Sequence, residues 1–171
     1  MSRFFSRNTR ELTPYVPGEQ PKDKIFIKLN TNENPYPPSP LVMERIRNFA
    51  LEDLRLYPNS EGATVKQALS KYYGISEDEV FVGNGSDEVL AFIFKAFFDN
   101  TDKIGFPDIT YSFYPVYSAL FNIPYVQVPV RSDFSIDILQ YPEDLKGIIF
   151  ANPNAPTGLL ISVETIEKLL Q

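Results

Sequence analysis

The chain has 171 residues, 43% of them hydrophobic, and a formal net charge of -6, which suits one soluble domain with a substantial core. It contains no cysteine and no histidine; this excludes disulfides, thiol nucleophiles, zinc sites built on those residues and every triad with a histidine base. An acidic balance without a basic stripe argues against nucleic acid as a partner, so acid–base chemistry falls to Lys, Asp, Glu, Tyr or a cofactor, and no metal site is expected.

The opening "MSRFFSRNTRELTPY" has no apolar core of signal-peptide length, and no later run is long enough to span a bilayer. The cytoplasm is therefore the expected location, with no membrane partner. Residues 1–40 are rich in proline and polar residues and read as an extended arm with one short strand at "KIFIKLN". Ser39-Pro40 then starts a helix, serine as cap and proline at the first helical position, with Val42, Ile46, Phe49 and Ala50 on one face. A turn at "LYPNSEG" leads to a second helix carrying Val65, Ala68, Leu69 and Tyr72 at helical spacing.

After Gly74 short apolar runs alternate with helices. "EVFV" reads as a strand, and 86–98 as a helix burying Val89, Leu90, Ile93, Ala96 and Phe97. "KIGF" is the next strand. "ITYSFYPVYSALF" is a helix that Pro115 shortens or bends. "YVQVPV" and "GIIFAN" are further strands, and a last helix is capped at Ser162. Strands alternating with helices predict an α/β fold around a mostly parallel sheet covered on both faces. That last helix stops without a C-cap glycine, which favours a piece of something longer.

The strand-to-helix junction "GNGSDE", residues 83–88, is the first candidate site. A helix N-terminus presents unpaired N–H groups and a positive dipole end, which attract phosphate. Gly85 would let a ligand approach the backbone, Gly83 would permit positive φ, and the N–H groups of Ser86 and Asp87 would hold the anion. The named nucleotide loops do not fit, because no lysine follows the glycines and Glu88 stands where a third glycine is needed. An ordinary helix start accounts for the same residues, since Ser86 is a good cap and Asp87 and Glu88 suit the first turn.

Five further segments join this one in order: "LTPYVPG" (12–18), "KLNTNENPYPPSP" (28–40), "LYPNSEG" (56–62), "PDITYSFY" (107–114) and "NPNAPTG" (152–158). In this order and spacing the six resemble the histidinol-phosphate aminotransferase family, fold-type I enzymes that use pyridoxal 5'-phosphate. The resemblance covers essentially the whole chain. It implies the three-layer α/β/α large domain of that fold, preceded by an extended N-terminal arm. Residues 1–40 would be the arm and a substrate-lining segment; 41–171 would be the N-terminal half of the cofactor-binding domain, truncated before the lysine that bonds the cofactor.

The same resemblance assigns residues. Gly85, Ser86 and Asp87 would hold the cofactor phosphate, and Tyr111 would stack on the pyridine ring. Tyr57 would reach the phosphate of a neighbouring subunit, implying a homodimer with shared active sites. Tyr15 and Asn32 would line the substrate, although Asn30, Asn32 and Asn34 are also plain turn formers before Pro35. One position departs from the family: Ala155 stands before "PTG", where an asparagine amide usually meets the cofactor's phenolic oxygen, so Asn154 or Asn152 would have to replace it. No catalytic residue is assigned, because Lys66, Lys71 and Lys95 sit at helix positions as surface charges.

The implied reaction exchanges an amino group between L-histidinol phosphate and 2-oxoglutarate in histidine biosynthesis, with this piece inactive alone. Three alternatives stay open: an aromatic amino acid aminotransferase, a decarboxylase of phosphorylated amino acids, and a non-catalytic phosphate-binding module.

Overall fold

The alternation of strands and helices is present in the computed structural model, which describes residues 3–12 and 27–170. In chain order the elements are α1 (Arg7–Glu11), α2 (Pro40–Arg47), α3 (Ala63–Tyr73), α4 (Gly85–Phe97), β1 (Ile104–Pro107), α5 (Phe113–Phe121), β2 (Tyr125–Val128), β3 (Gly147–Ile148) and α6 (Val163–Leu169). Short 3-10 turns lie at Leu51–Arg55, Glu77–Glu79 and Ile138–Gln140. The chain divides into two units, Pro14–Val82 and Gly83–Gln171 together with Met1–Thr13.

In the second unit the sheet is parallel throughout, in the order β2-β1-β3, with β1 in the centre. All four residues of β1 are buried. Side chains alternate across a strand, so Ile104 and Phe106 share one face and Gly105 points to the other. The first face meets α4 and α5: Phe94, Ile104, Phe106, Tyr114, Tyr117 and Ile123 form the core cluster. On the other face a Cβ at Gly105 would lie 2.6 Å from Leu145 and 3.1 Å from Tyr141. Glycine is needed there because the 141–145 segment covers the sheet directly.

Local chemistry explains several of the helix starts. Ser162 accepts a hydrogen bond from the Thr165 N–H at 3.2 Å and starts α6. Pro40 occupies the first turn of α2 behind Ser39, whose side chain makes no capping bond. Pro115 shortens α5 as expected. The helix begins at Phe113 rather than Ile109, which leaves the proline in the first turn, where its missing N–H has no intrahelical partner to lose. The β2-to-β3 connection carries only the 3-10 turn at Ile138–Gln140, not an α-helix.

Several expectations are corrected. "EVFV" is not a strand: Glu79 is drawn into a 3-10 turn by a capping box with Ser76, and no described segment pairs with 80–82. A strand without a neighbour has nowhere to place its backbone donors and acceptors. The described end of "KIFIKLN", residues 27–30, is also outside any strand. In α4 the buried residue is Phe94, while Phe97 is 66% exposed. That helix is apolar nearly all round, so periodicity could not select its inner face. The apolar stripes of α2 and α3 bury no residue; Ile46, Phe49, Val65 and Tyr72 are all exposed.

Candidate functional site

The "GNGSDE" corner keeps its glycines for reasons opposite to those expected. Gly85 carries the positive φ, +83°, and a Cβ there would meet open space. Gly83 serves the close approach: its Cβ would lie 2.8 Å from a Val89 methyl and 3.2 Å from Glu88 Oε2. Glu88 folds back so that its carboxylate accepts the Asn84 N–H at 2.6 Å. The Gly85 N–H donates to the Gly83 carbonyl at 3.0 Å. Asn84, the N-cap, makes no side-chain capping bond.

This leaves the N–H groups of Ser86 and Asp87 at the start of a 13-residue helix without a hydrogen-bond acceptor among the described residues. Both residues are exposed. Free amides at a positive dipole end form an anion site in waiting.

Tyr111 is brought to this corner. Its hydroxyl donates to Asp87 Oδ1 at 2.5 Å, and Tyr117 donates to the Asp87 backbone carbonyl at 2.9 Å. Burial, and after it the Asp87 charge, push the Tyr117 phenol upward, so it remains a donor. The Tyr111 ring is stacked on Phe113 at 5.6 Å and 17° and meets Tyr114 edge-on at 5.7 Å.

The residue before it ties the same segment to the "NPNAPTG" loop. Thr110 donates to Asn154 Oδ1 at 2.8 Å, and the Asn154 amide donates to the Ile109 carbonyl at 2.9 Å and to Thr157 Oγ1 at 3.3 Å. Asn154 is 1% exposed, and its side chain is fully used. Asn152 is engaged as well: its amide donates to the Ile161 carbonyl at 3.2 Å and its oxygen accepts the Ile161 N–H at 2.9 Å. A direct bond from Asn154 to a ligand would require giving up these contacts, whereas the exposed Asn152 keeps a second amide N–H that has no acceptor among the described residues.

Gly85, Ser86, Asp87, Tyr111 and Asn154 thus belong to one unit and are linked through residues 109–111. Tyr57 and Asn32 lie in the other unit. Tyr57 is fully exposed, and Asn32 sits in a turn with φ +53° beside Thr31 at +62°. Asn34 accepts the Tyr36 N–H at 2.9 Å, the turn role its type suggests. Tyr15 lies outside the described residues. Thr110, Thr157, Tyr117 and Glu88 were not anticipated; only the carboxylate of Glu88, one turn into a helix, carried a readable signal.

Comparison with known proteins places these features in context. Residues 24–171 match the family described as aminotransferase class I and II. The chain is 51% identical over 170 residues to a histidinol-phosphate aminotransferase of Brachyspira hyodysenteriae, covering 99% of this chain and 48% of that protein. It is 53% identical over 171 residues to one of Pseudomonas putida, covering 100% of this chain and 49% of that protein. Among solved structures, histidinol-phosphate aminotransferase from Sinorhizobium meliloti in complex with pyridoxal-5'-phosphate superposes with a TM-score of 0.84 at 24% identity, over 100% of this chain and 48% of that one. The chain therefore spans about half the length of the relatives it matches.

Proposed function

Because the chain belongs to the class I and II aminotransferases, we propose that it is the N-terminal part of an enzyme exchanging an amino group between L-histidinol phosphate and 2-oxoglutarate in histidine biosynthesis. The observation that carries this reading is the identity of about half across the whole chain to histidinol-phosphate aminotransferases. The cofactor is pyridoxal 5'-phosphate, and the residues present fit its phosphate: Ser86 and Asp87 offer unused amides, and Gly85 leaves open space beside them. When bound, the cofactor supplies the carbonyl and the electron-withdrawing ring on which an amino group is carried from donor to acceptor.

In this chain Gly85, Ser86 and Asp87 grip the phosphate, and the rigidly held Tyr111 offers its face to the ring. Asn154 holds Thr110 and Ile109, and so the Tyr111 segment, against the 152–158 loop. Residues 1–40 serve as the arm and substrate-lining segment, with substrate-binding roles assigned to Tyr15 and Asn32; 41–171 serve as the first half of the cofactor-binding domain. Tyr57, fully exposed, serves the phosphate site of a second subunit in a homodimer with shared sites. No lysine of this chain is assigned to catalysis. Lys66, Lys71 and Lys95 stand on helices and Lys103 pairs with Asp144 at 3.1 Å. No helix of the described residues is long and apolar enough to cross a membrane; the location proposed for the enzyme is the cytoplasm.

The test is substrate profiling of the full-length protein. Amino transfer from histidinol phosphate should exceed that from phenylalanine or tyrosine by at least about a hundredfold in kcat/KM, the discrimination buried polar and charged contacts supply. Faster turnover of the aromatic amino acids, or release of carbon dioxide from a phosphorylated amino acid, would overturn the assignment.

A further inference from the structure

The Tyr111–Asp87 bond raises a question that stacking alone does not answer. A carboxylate in the first turn of a helix is itself an anion beside free amides, and it can satisfy them in place of a ligand. Glu88 does this one residue away, its carboxylate taking the Asn84 N–H at 2.6 Å. Asp87 is also exposed and one residue nearer the helix start, yet its carboxylate accepts from no backbone N–H among the described residues. Its Oδ1 is taken by the Tyr111 hydroxyl at 2.5 Å, while its carbonyl is pinned by Tyr117 at 2.9 Å. The Tyr111 hydroxyl cannot easily follow a moving carboxylate, because its ring packs against Phe113 and Tyr114.

We propose that the Tyr111 hydroxyl is a positioning group that holds the Asp87 carboxylate away from the Ser86 and Asp87 amides, keeping them free for a phosphate dianion. This rests on the reading of that corner as the cofactor-phosphate site. It divides Tyr111 into two functions: the ring meets the cofactor, and the hydroxyl restrains a competing anion. Losing the hydroxyl alone lets Asp87 fold back as Glu88 does, and phosphate then has to displace it.

The experiment measures dissociation constants of pyridoxal 5'-phosphate and of pyridoxal, which lacks the phosphate, by absorbance and fluorescence titration of the full-length protein. Tyr111→Phe should weaken the phosphate ester about threefold to tenfold, the worth of one such hydrogen bond, and leave pyridoxal unchanged. Adding Asp87→Asn to Tyr111→Phe removes the competing charge and should restore affinity to within about twofold of Asp87→Asn alone, the coupling a double-mutant cycle isolates. Unchanged affinity in Tyr111→Phe, equal weakening of both ligands, or no rescue by Asp87→Asn would each overturn the proposal. Ser86→Pro separates this from failure of the site itself, because proline is tolerated in the first turn and removes the amide N–H together with the serine hydroxyl. If Ser86→Pro leaves the phosphate ester's affinity intact, the phosphate does not bind at this corner. If it weakens binding while Tyr111→Phe does not, only the role of the hydroxyl is wrong.

Discussion

Asn154 and Tyr141 show how differently two buried polar groups are treated within one unit. Asn154 has a partner for every group of its amide, so it contributes order to the site. The Tyr141 hydroxyl is buried and has no hydrogen-bond partner among the described residues. Burial, and after it the Asp108 charge, push that phenol far above the usual tyrosine range. The folded state therefore favours neutral Tyr141. Its contribution is complete below about pH 10, where unfolded tyrosine ionises, and is lost as pH rises toward the folded value. Tyr141→Phe removes an unsatisfied hydroxyl while keeping the ring over Gly105, and should stabilise the fold by about 1 kcal/mol at pH 8. Urea unfolding at pH 8, 10 and 11 should show the wild-type midpoint falling further below that of the variant, with the gap between them widening as pH rises. A gap that closes would mean that the hydroxyl finds a partner.

Among the elements, the α4 start is where sequence and structure agree on composition but not on cause. Two glycines before Ser-Asp-Glu announced a tight strand-to-helix corner, yet which glycine needs positive φ depends on where the helix begins, a boundary that propensity locates poorly. Since Gly85 sits at φ +83°, Gly85→Ala should cost about 1 to 2 kcal/mol in backbone strain even though its Cβ would touch nothing. Gly83→Ala should cost less if Val89 and Glu88 yield, because both obstacles are side-chain atoms. Denaturant midpoints of the two variants decide the order; the reverse order would return the positive-φ role to Gly83. Helix caps and breakers were the most readable features. Ser162, Pro40 and Pro115 act through local geometry and lie close to where their types put them. The "EVFV" run was not readable in the same way, because a strand is defined by a neighbour, and a periodic apolar run does not say whether one exists.

Across the molecule, the parallel α/β architecture could be read from the alternation of apolar runs and helices, because crossovers of this length leave few other topologies. What covers each amphipathic face could not. Helices α2 and α3 have the apolar stripes of core-facing helices, yet neither buries a residue, and Leu41, Ile46, Leu51, Leu54 and Leu56 stand exposed. Helical stability in water comes mainly from packing such a face, and an isolated helix of 8 or 11 residues is marginal. Strand β1, by contrast, is buried at every residue and paired on both edges. Opening free energies should differ accordingly. In hydrogen exchange of this 171-residue chain, amides of α2 and α3 should exchange at least about a hundredfold faster than those of β1, a gap of roughly 3 kcal/mol in local stability. In the assembled homodimer proposed above, the same helices should gain protection while β1 changes little. Equal protection of α2 and β1 in the chain by itself would mean that these apolar faces are already covered, and that the exposed apolar surface of residues 41–56 is not what a second subunit needs.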